Sequence, residues 1–231
     1  MVLYLVGTCH ADIKGPERLE KFLNFVRPSS ICHESSTEAA KTILEERIQE
    51  VKLLLKRVNH PDPSVRLATR IEFIYGYEIW VPYQHLVENP TVNIYPLEEQ
   101  TSIKTALGQL IKQSANGDRK GTIPTWAINM QYALTTGDSK EYQKNVDAAY
   151  YDSKSATKLI LDSLDGDKDY ILKERDSLME KKIRATVAND REGTVVVNCG
   201  VGHFFGEYDN LYERLRDISP CRIRLPEIDK F

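Results

Sequence analysis

Val2-Leu3-Tyr4-Leu5-Val6-Gly7-Thr8-Cys9-His10 is an apolar run closed by a glycine and, three residues later, a histidine. Five apolar residues in succession, with no polar alternation, fit a strand buried on both faces, as in a parallel sheet covered by helices. Outward from it, Gly15-Pro16 punctuates the chain. Leu19, Phe22, Leu23 and Val26 follow at helical spacing, with proline suited to the first helical turn. Arg27-Pro28 then leads into a short strand, Ser30-Ile31-Cys32-His33, which leaves Glu34 at its carboxyl end. These pieces make a βαβ unit. The pattern returns in Thr91-Val92-Asn93-Ile94-Tyr95, running into Pro96-Leu97-Glu98-Glu99. It returns again in Thr194-Val195-Val196-Val197-Asn198-Cys199, running into Gly200-Val201-Gly202-His203, and Arg222-Ile223-Arg224-Leu225 reads as a terminal edge strand. The expected fold is α/β, a mainly parallel central sheet flanked by helices, in one domain over residues 1–231.

Helical periodicity fills the rest. Ser35-Ser36-Thr37-Glu38 reads as a capping box ahead of a helix carrying Leu44, Ile48, Val51, Leu55 and Val58. His60-Pro61-Asp62-Pro63 breaks that helix, and residues 64–89 read as mostly helical, interrupted at Gly76 or before Pro82. No strand pattern occurs in residues 101–189, which read as a large helical insertion, a cap with helices at 102–113, 124–135, 140–164 and 168–189. Its aromatic residues (Trp126, Tyr132, Tyr142, Tyr150, Tyr151) are best read as core. A closing helix places Tyr208, Leu211, Tyr212 and Leu215 on one face.

Composition narrows the function classes. Among 231 residues, 31 Lys and Arg stand against 34 Asp and Glu, a formal net charge of -3, so no positive field draws the chain to nucleic acid. No apolar run approaches the roughly 20 residues needed to cross a bilayer, and no charged segment precedes the first strand, so neither a membrane span nor a signal peptide is expected. The four cysteines are dispersed without a CxxC pair, which favours a reducing, cytoplasmic setting.

In an open α/β sheet the chemistry gathers at the carboxyl ends of the strands. Four strands deliver a polar residue there: His10, Glu34, Glu98 and His203. Two Gly-x-x-His turns with one or two carboxylates are suited to Zn²⁺, Mn²⁺, Fe²⁺ or Co²⁺. His33 falls on the other side of the sheet by strand alternation, and His60 and His85 read as structural or solvent-exposed. Arg175 leans toward the apolar face of its helix, which calls for an anionic partner such as Glu34 or Glu98, or for a substrate oxygen. Asp176 reads as the weaker candidate, pairing locally with Lys or Arg. No Gly-x-Ser-x-Gly elbow and no phosphate-binding glycine loop is present.

At these residues the chain resembles the TraB/PrgY family, related to the Tiki proteases and more distantly to erythromycin-esterase-like and ChaN-like proteins. The matching elements are Leu5-Val6-Gly7-Thr8-Cys9-His10, Arg27-Pro28 with the strand ending in Glu34, and Glu98 at the end of a further strand. Glu174-Arg175-Asp176 with Met179, and Gly200-Val201-Gly202-His203 with Gly206, complete the set. The resemblance implies an α/β domain whose histidines and acidic residues face one cleft, and a metal site at His10, Glu34 and His203 with Arg175 nearby. The family's Cys-containing stretch and Arg after the second strand are replaced here by Ser35-Ser36-Thr37-Glu38, and its hydrophobic C-terminal region is absent.

The expected function is a metal-dependent hydrolase acting on a peptide or other small-molecule acyl substrate. A divalent ion (Mn, Co or Zn) is held by His10, Glu34 and His203, with Glu98 as base and Arg175 at the oxyanion. A metal-free His/Glu esterase-like hydrolase stands as the alternative. So does a non-enzymatic module that binds a peptide, a haem-like ligand or a protein in the same cleft, and the chain has scope for homo-oligomerisation.

Overall fold

The structure, a computed structural model, describes residues 1–37, 59–99, 125–154 and 168–230, together with residues 49, 52, 53, 56 and 57. Five parallel strands form the sheet in the order β3-β2-β4-β1-β5: β1 (Val2–Thr8), β2 (Ser30–Thr37), β3 (Asn93–Glu99), β4 (Thr194–Gly200) and β5 (Cys221–Arg224). The three central strands are those with continuous apolar runs. Leu5, Val6, Ile31, Cys32, Val195, Val196 and Val197 are all fully buried, because helices cover both faces and leave no polar-facing side to alternate toward. The edge strands are the ones that break the pattern. Pro96 lies inside β3, where a missing N–H costs no ladder bond on the open side.

One face is covered by α1 (Gly15–Val26) and by α2 (Pro63–Tyr75) and α3 (Tyr77–Glu88), which are separated at Gly76. Tyr4 meets Phe22 of α1 edge to face at 5.4 Å, and His33 meets Tyr83 of α3 at 5.5 Å. The described part of the insertion supplies α4 (Thr125–Thr136), α5 (Ser139–Ala149) and α6 (Lys168–Asn189), with no strand among its described residues. Helix α6 packs on β3 and β4 from the other face, where the Cys32 thiol donates to Thr186 at 3.7 Å. It is joined there by the short α7 (Gly202–Phe205) and α8 (Leu211–Arg214). No described helix is long and apolar enough to cross a membrane, and the four cysteines form no disulfide.

Three expectations are corrected. Residues 35–37 continue β2 instead of capping a helix: after an irregularity between His33 and Ser36, Ser36 and Thr37 pair with Glu98 and Glu99, and strand pairing outcompetes the local cap. Helix α5 ends at Ala149 and does not run to residue 164, because the Tyr150 carbonyl accepts from Arg224 Nε at 2.8 Å in place of a helical N–H. The closing helix is confined to Leu211–Arg214, capped by Asn210, whose side chain accepts from the Glu213 N–H at 3.1 Å. Within the helix expected around Leu44 to Val58 the described residues 49, 52, 53, 56 and 57 are helical, and the helix expected at 102–113 lies outside the described residues.

Candidate functional site at the carboxyl edge

Glycine begins both Gly-x-x-His turns, and at Gly7 the reason is proximity. A Cβ there would stand 3.1 Å from the Val201 Cα and 3.3 Å from Phe205, so β1 needs a bare backbone for the exit of β4 to pass. That close approach puts the two turns side by side, with the Val201 N–H donating to the Thr8 carbonyl at 2.7 Å.

Glu34 stands at the centre of what they frame. Its Oε1 accepts from Arg175 at 2.7 Å and its Oε2 accepts from the Gly200 N–H at 2.8 Å. Burial works against the carboxylate, but His203, Arg175 and the Gly200 N–H outweigh it and hold its pKa well below the usual range. Arg175 therefore takes the first of its two expected roles, a partly buried pair with Glu34.

His203 is fully buried beside Glu34. Its Nδ1 lies 2.6 Å from Asp176 Oδ1, and since an ionised carboxylate only accepts, Nδ1 carries the proton. Its Nε2 lies 3.4 Å from Glu34 Oε1, within ion-pair range but without an aligned hydrogen bond. Burial lowers the imidazole's pKa, yet the charges of Asp176 and Glu34 raise it further, to about 10. The weaker reading of Asp176 is thereby corrected: it is fully buried and holds His203 rather than a surface cation. The Tyr208 hydroxyl is buried in the same neighbourhood, its pKa raised by burial and then by the charge of Asp176.

His10 sits on the α3 side, 56 % exposed, with Nδ1 against Glu78 Oε2. Partial desolvation opposes its charge, but Glu78 prevails and raises the pKa to about 9. The charge of Glu34 raises the pKa of both His10 and His203, and the pairing of Thr8 with Gly200 sets their two turns side by side. Glu78 escaped the sequence reading. Its signal was spacing: Glu78, Val81, Pro82 and His85 form one buried stripe of α3, and a carboxylate in such a stripe needs a partner.

Glu98 lies in β3 in register with Ser36 of β2, and its side chain lies outside the described residues. His33 is buried on the opposite face of β2 from Glu34, as alternation requires, His60 stands at an exposed turn, and His85 is a buried residue of α3. Among the described residues no group of three His, Cys, Asp or Glu side chains forms a ready cluster for a metal ion. A cavity of about 390 Å³ bounded by Arg27, His85 and Asn89 lies at the amino edge of the sheet, and none of His10, Glu34, Arg175 and His203 lines it.

The charges predict a pH signature. In chelator-treated protein, folded His203 keeps its proton up to about pH 10, whereas an unfolded imidazole releases it near ~6.5. Its contribution to stability is complete below that unfolded value and is lost as pH rises through about 10. The depressed carboxyl of Glu34 acts oppositely: its contribution is present above the usual carboxylate range and is lost as acid protonates it in the folded state. Thermal stability is expected to peak at about pH 5–6.5 and decline on the alkaline side, with His203→Gln flattening that decline. A wild-type melting temperature that stays level from pH 7 to 10 contradicts the ion pairing.

Searches of family models, of curated proteins and of solved structures find no match to this chain.

Proposed function

We propose that this protein hydrolyses a peptide or other acyl bond in the cleft between His10 and His203, as the TraB/PrgY resemblance implies. The observation that carries the reading is the arrangement of His203. A buried carboxylate fixes its Nδ1, and its Nε2 faces Glu34 with no hydrogen-bond partner among the described residues. Metal-ligating histidines are held in that manner, with an outer carboxylate setting the tautomer. In this reading His203 and Glu34 would hold a divalent ion such as Mn, Co or Zn, with His10 as the third ligand. When bound, such an ion lowers the pKa of a water and polarises the substrate carbonyl. Arg175, 2.7 Å from Glu34, balances the carboxylate and supplies a cation for charge developing on the carbonyl oxygen, and Glu98 is the proposed base.

A second reading, hydrolysis without metal, draws on the engagement of both Glu34 oxygens by Arg175 and Gly200. The more exposed His10, oriented by Glu78, then activates water directly. Elemental analysis of untagged protein, followed by chelation and add-back of Mn²⁺, Co²⁺ and Zn²⁺ against peptide and ester panels, separates the two. Activity lost on chelation and restored by an ion is the expected result. Activity indifferent to chelation selects the metal-free reading. Stoichiometric ligand binding without turnover, unaffected by Glu34→Gln, overturns both.

A further inference from the structure

Helix α3 contains a proline, Pro82, one turn after Glu78. Proline has no N–H, so the Glu78 carbonyl loses the helical hydrogen bond that residue 82 would otherwise donate. Asn198, fully buried in β4, replaces it: its Nδ2 donates to the Glu78 carbonyl at 2.8 Å. The departures from local rule are matched. An apolar residue at 198 would simply extend the Val195-Val196-Val197 run, and any residue but proline at 82 would satisfy the carbonyl within the helix.

Both departures converge on the turn of α3 that grips the His10 loop. The Glu78 carboxylate meets His10 Nδ1. One residue earlier, the Tyr77 hydroxyl accepts from the Cys9 N–H at 3.2 Å and donates to the Cys9 carbonyl at 3.3 Å. Gly15 makes room for this contact, since a Cβ there would lie 2.4 Å from the fully buried Tyr77 ring. Strand β4 meanwhile supplies the Gly200 N–H to Glu34 and leads directly into His203. One strand thus bears on both histidines, His203 through its own turn and His10 through Asn198.

We infer that Asn198 is a positioning residue for His10, acting through the main chain of Glu78, and that Pro82 creates the vacant carbonyl on which it acts. Its catalytic consequence rests on the hydrolase reading above. Its structural content does not.

The test compares the 231-residue chain with its Asn198→Ala, Pro82→Ala and double variants. Two readouts of His10 are used: the ¹⁵N signal of its Nδ1, and the rate at which diethylpyrocarbonate modifies its ring. Asn198→Ala is expected to shift the Nδ1 signal and change the modification rate by about fivefold or more, the scale of one lost buried hydrogen bond. Pro82→Ala alone should leave both unchanged. The double variant should return within about twofold of wild type, because alanine at 82 restores the helical N–H, a rescue that generic packing loss does not permit. If Asn198→Ala fails to fold, a folded double variant is the same rescue. A double variant as damaged as Asn198→Ala, in either readout or in folding, overturns the inference. Where an acyl substrate is turned over, kcat should follow the His10 signal with KM little changed. Should wild type itself turn over nothing, the hydrolase reading falls while the His10 readouts still decide the role of Asn198.

Discussion

Replacing His203 by alanine is expected to lower kcat/KM by about 10³-fold or more and to abolish metal retention, with His10→Ala/His203→Ala no worse than the more damaging single variant. Groups that act as one unit are strongly non-additive, because removing either already removes what both support. The Val201 N–H donating to the Thr8 carbonyl at 2.7 Å sets the two histidine turns side by side, which is the physical ground for treating them as a unit. Folding complicates the measurement, since His203→Ala leaves the fully buried Asp176 carboxylate without its cation, at a cost of about 3–5 kcal/mol. Asp176→Asn added to His203→Ala should recover much of that stability and none of the activity. Independent, additive losses from the two histidines would mean that they do not serve one site.

The parts of this protein legible in its sequence are those that local chemistry decides. The apolar runs of β1 and β4 announce burial on both faces, Gly15-Pro16 starts α1, and α6 spans 168–189 as its periodicity indicates. The misreadings are tertiary overrides. Ser35 carries a good cap signature, yet an available partner strand draws residues 35–37 into the sheet. Helix α5 stops where an arginine from β5, more than seventy residues away, takes its carbonyl.

The same division runs through the candidate site. His10, Glu34 and His203 were visible because each follows a short apolar run, and in a parallel sheet such runs lead to one edge, although β2 continues past Glu34 to Thr37. Glu78 was not singled out and Asp176 was ranked the weaker candidate because their roles arise from helices docking on opposite faces of the sheet. A stricter use of burial would have found Asp176. It shares the buried face of α6 with Met179 and Ile183, and a carboxylate on such a face must have a partner. No local pattern flags Asn198, whose purpose exists only once Pro82 has left a carbonyl unsatisfied in a different element.

A loss of stability of the same size is expected at Arg18 of α1, which is tied to the loop that carries His10. Arg18 is 2 % exposed and meets three carboxylates: Asp12 at 3.0 Å, Asp147 of α5 at 2.7 Å and Asp229 near the C-terminus at 2.6 Å. Asp147 and Asp229 are 32 % and 46 % exposed, so water can replace the guanidinium for them and each contributes little. Asp12 is fully buried. Burial already raises its pKa, against the opposing pull of Arg18, Gln143 and Tyr150, so removing the cation takes away the strongest of the forces that keep it charged. Arg18→Met should therefore cost about 3–5 kcal/mol in urea unfolding, and Asp12→Asn in that background should restore a large part of it. Asp12 also accepts from the Lys14 N–H at 2.9 Å and from Gln143 Nε2 at 2.8 Å, while Tyr142 of α5 donates to the Ala11 carbonyl at 3.0 Å. These bonds shape the loop on which His10 stands, so Arg18→Met should reduce turnover even where the protein remains folded. A cost below about 1 kcal/mol would place Arg18 among surface ion pairs and remove the insertion from the support of His10.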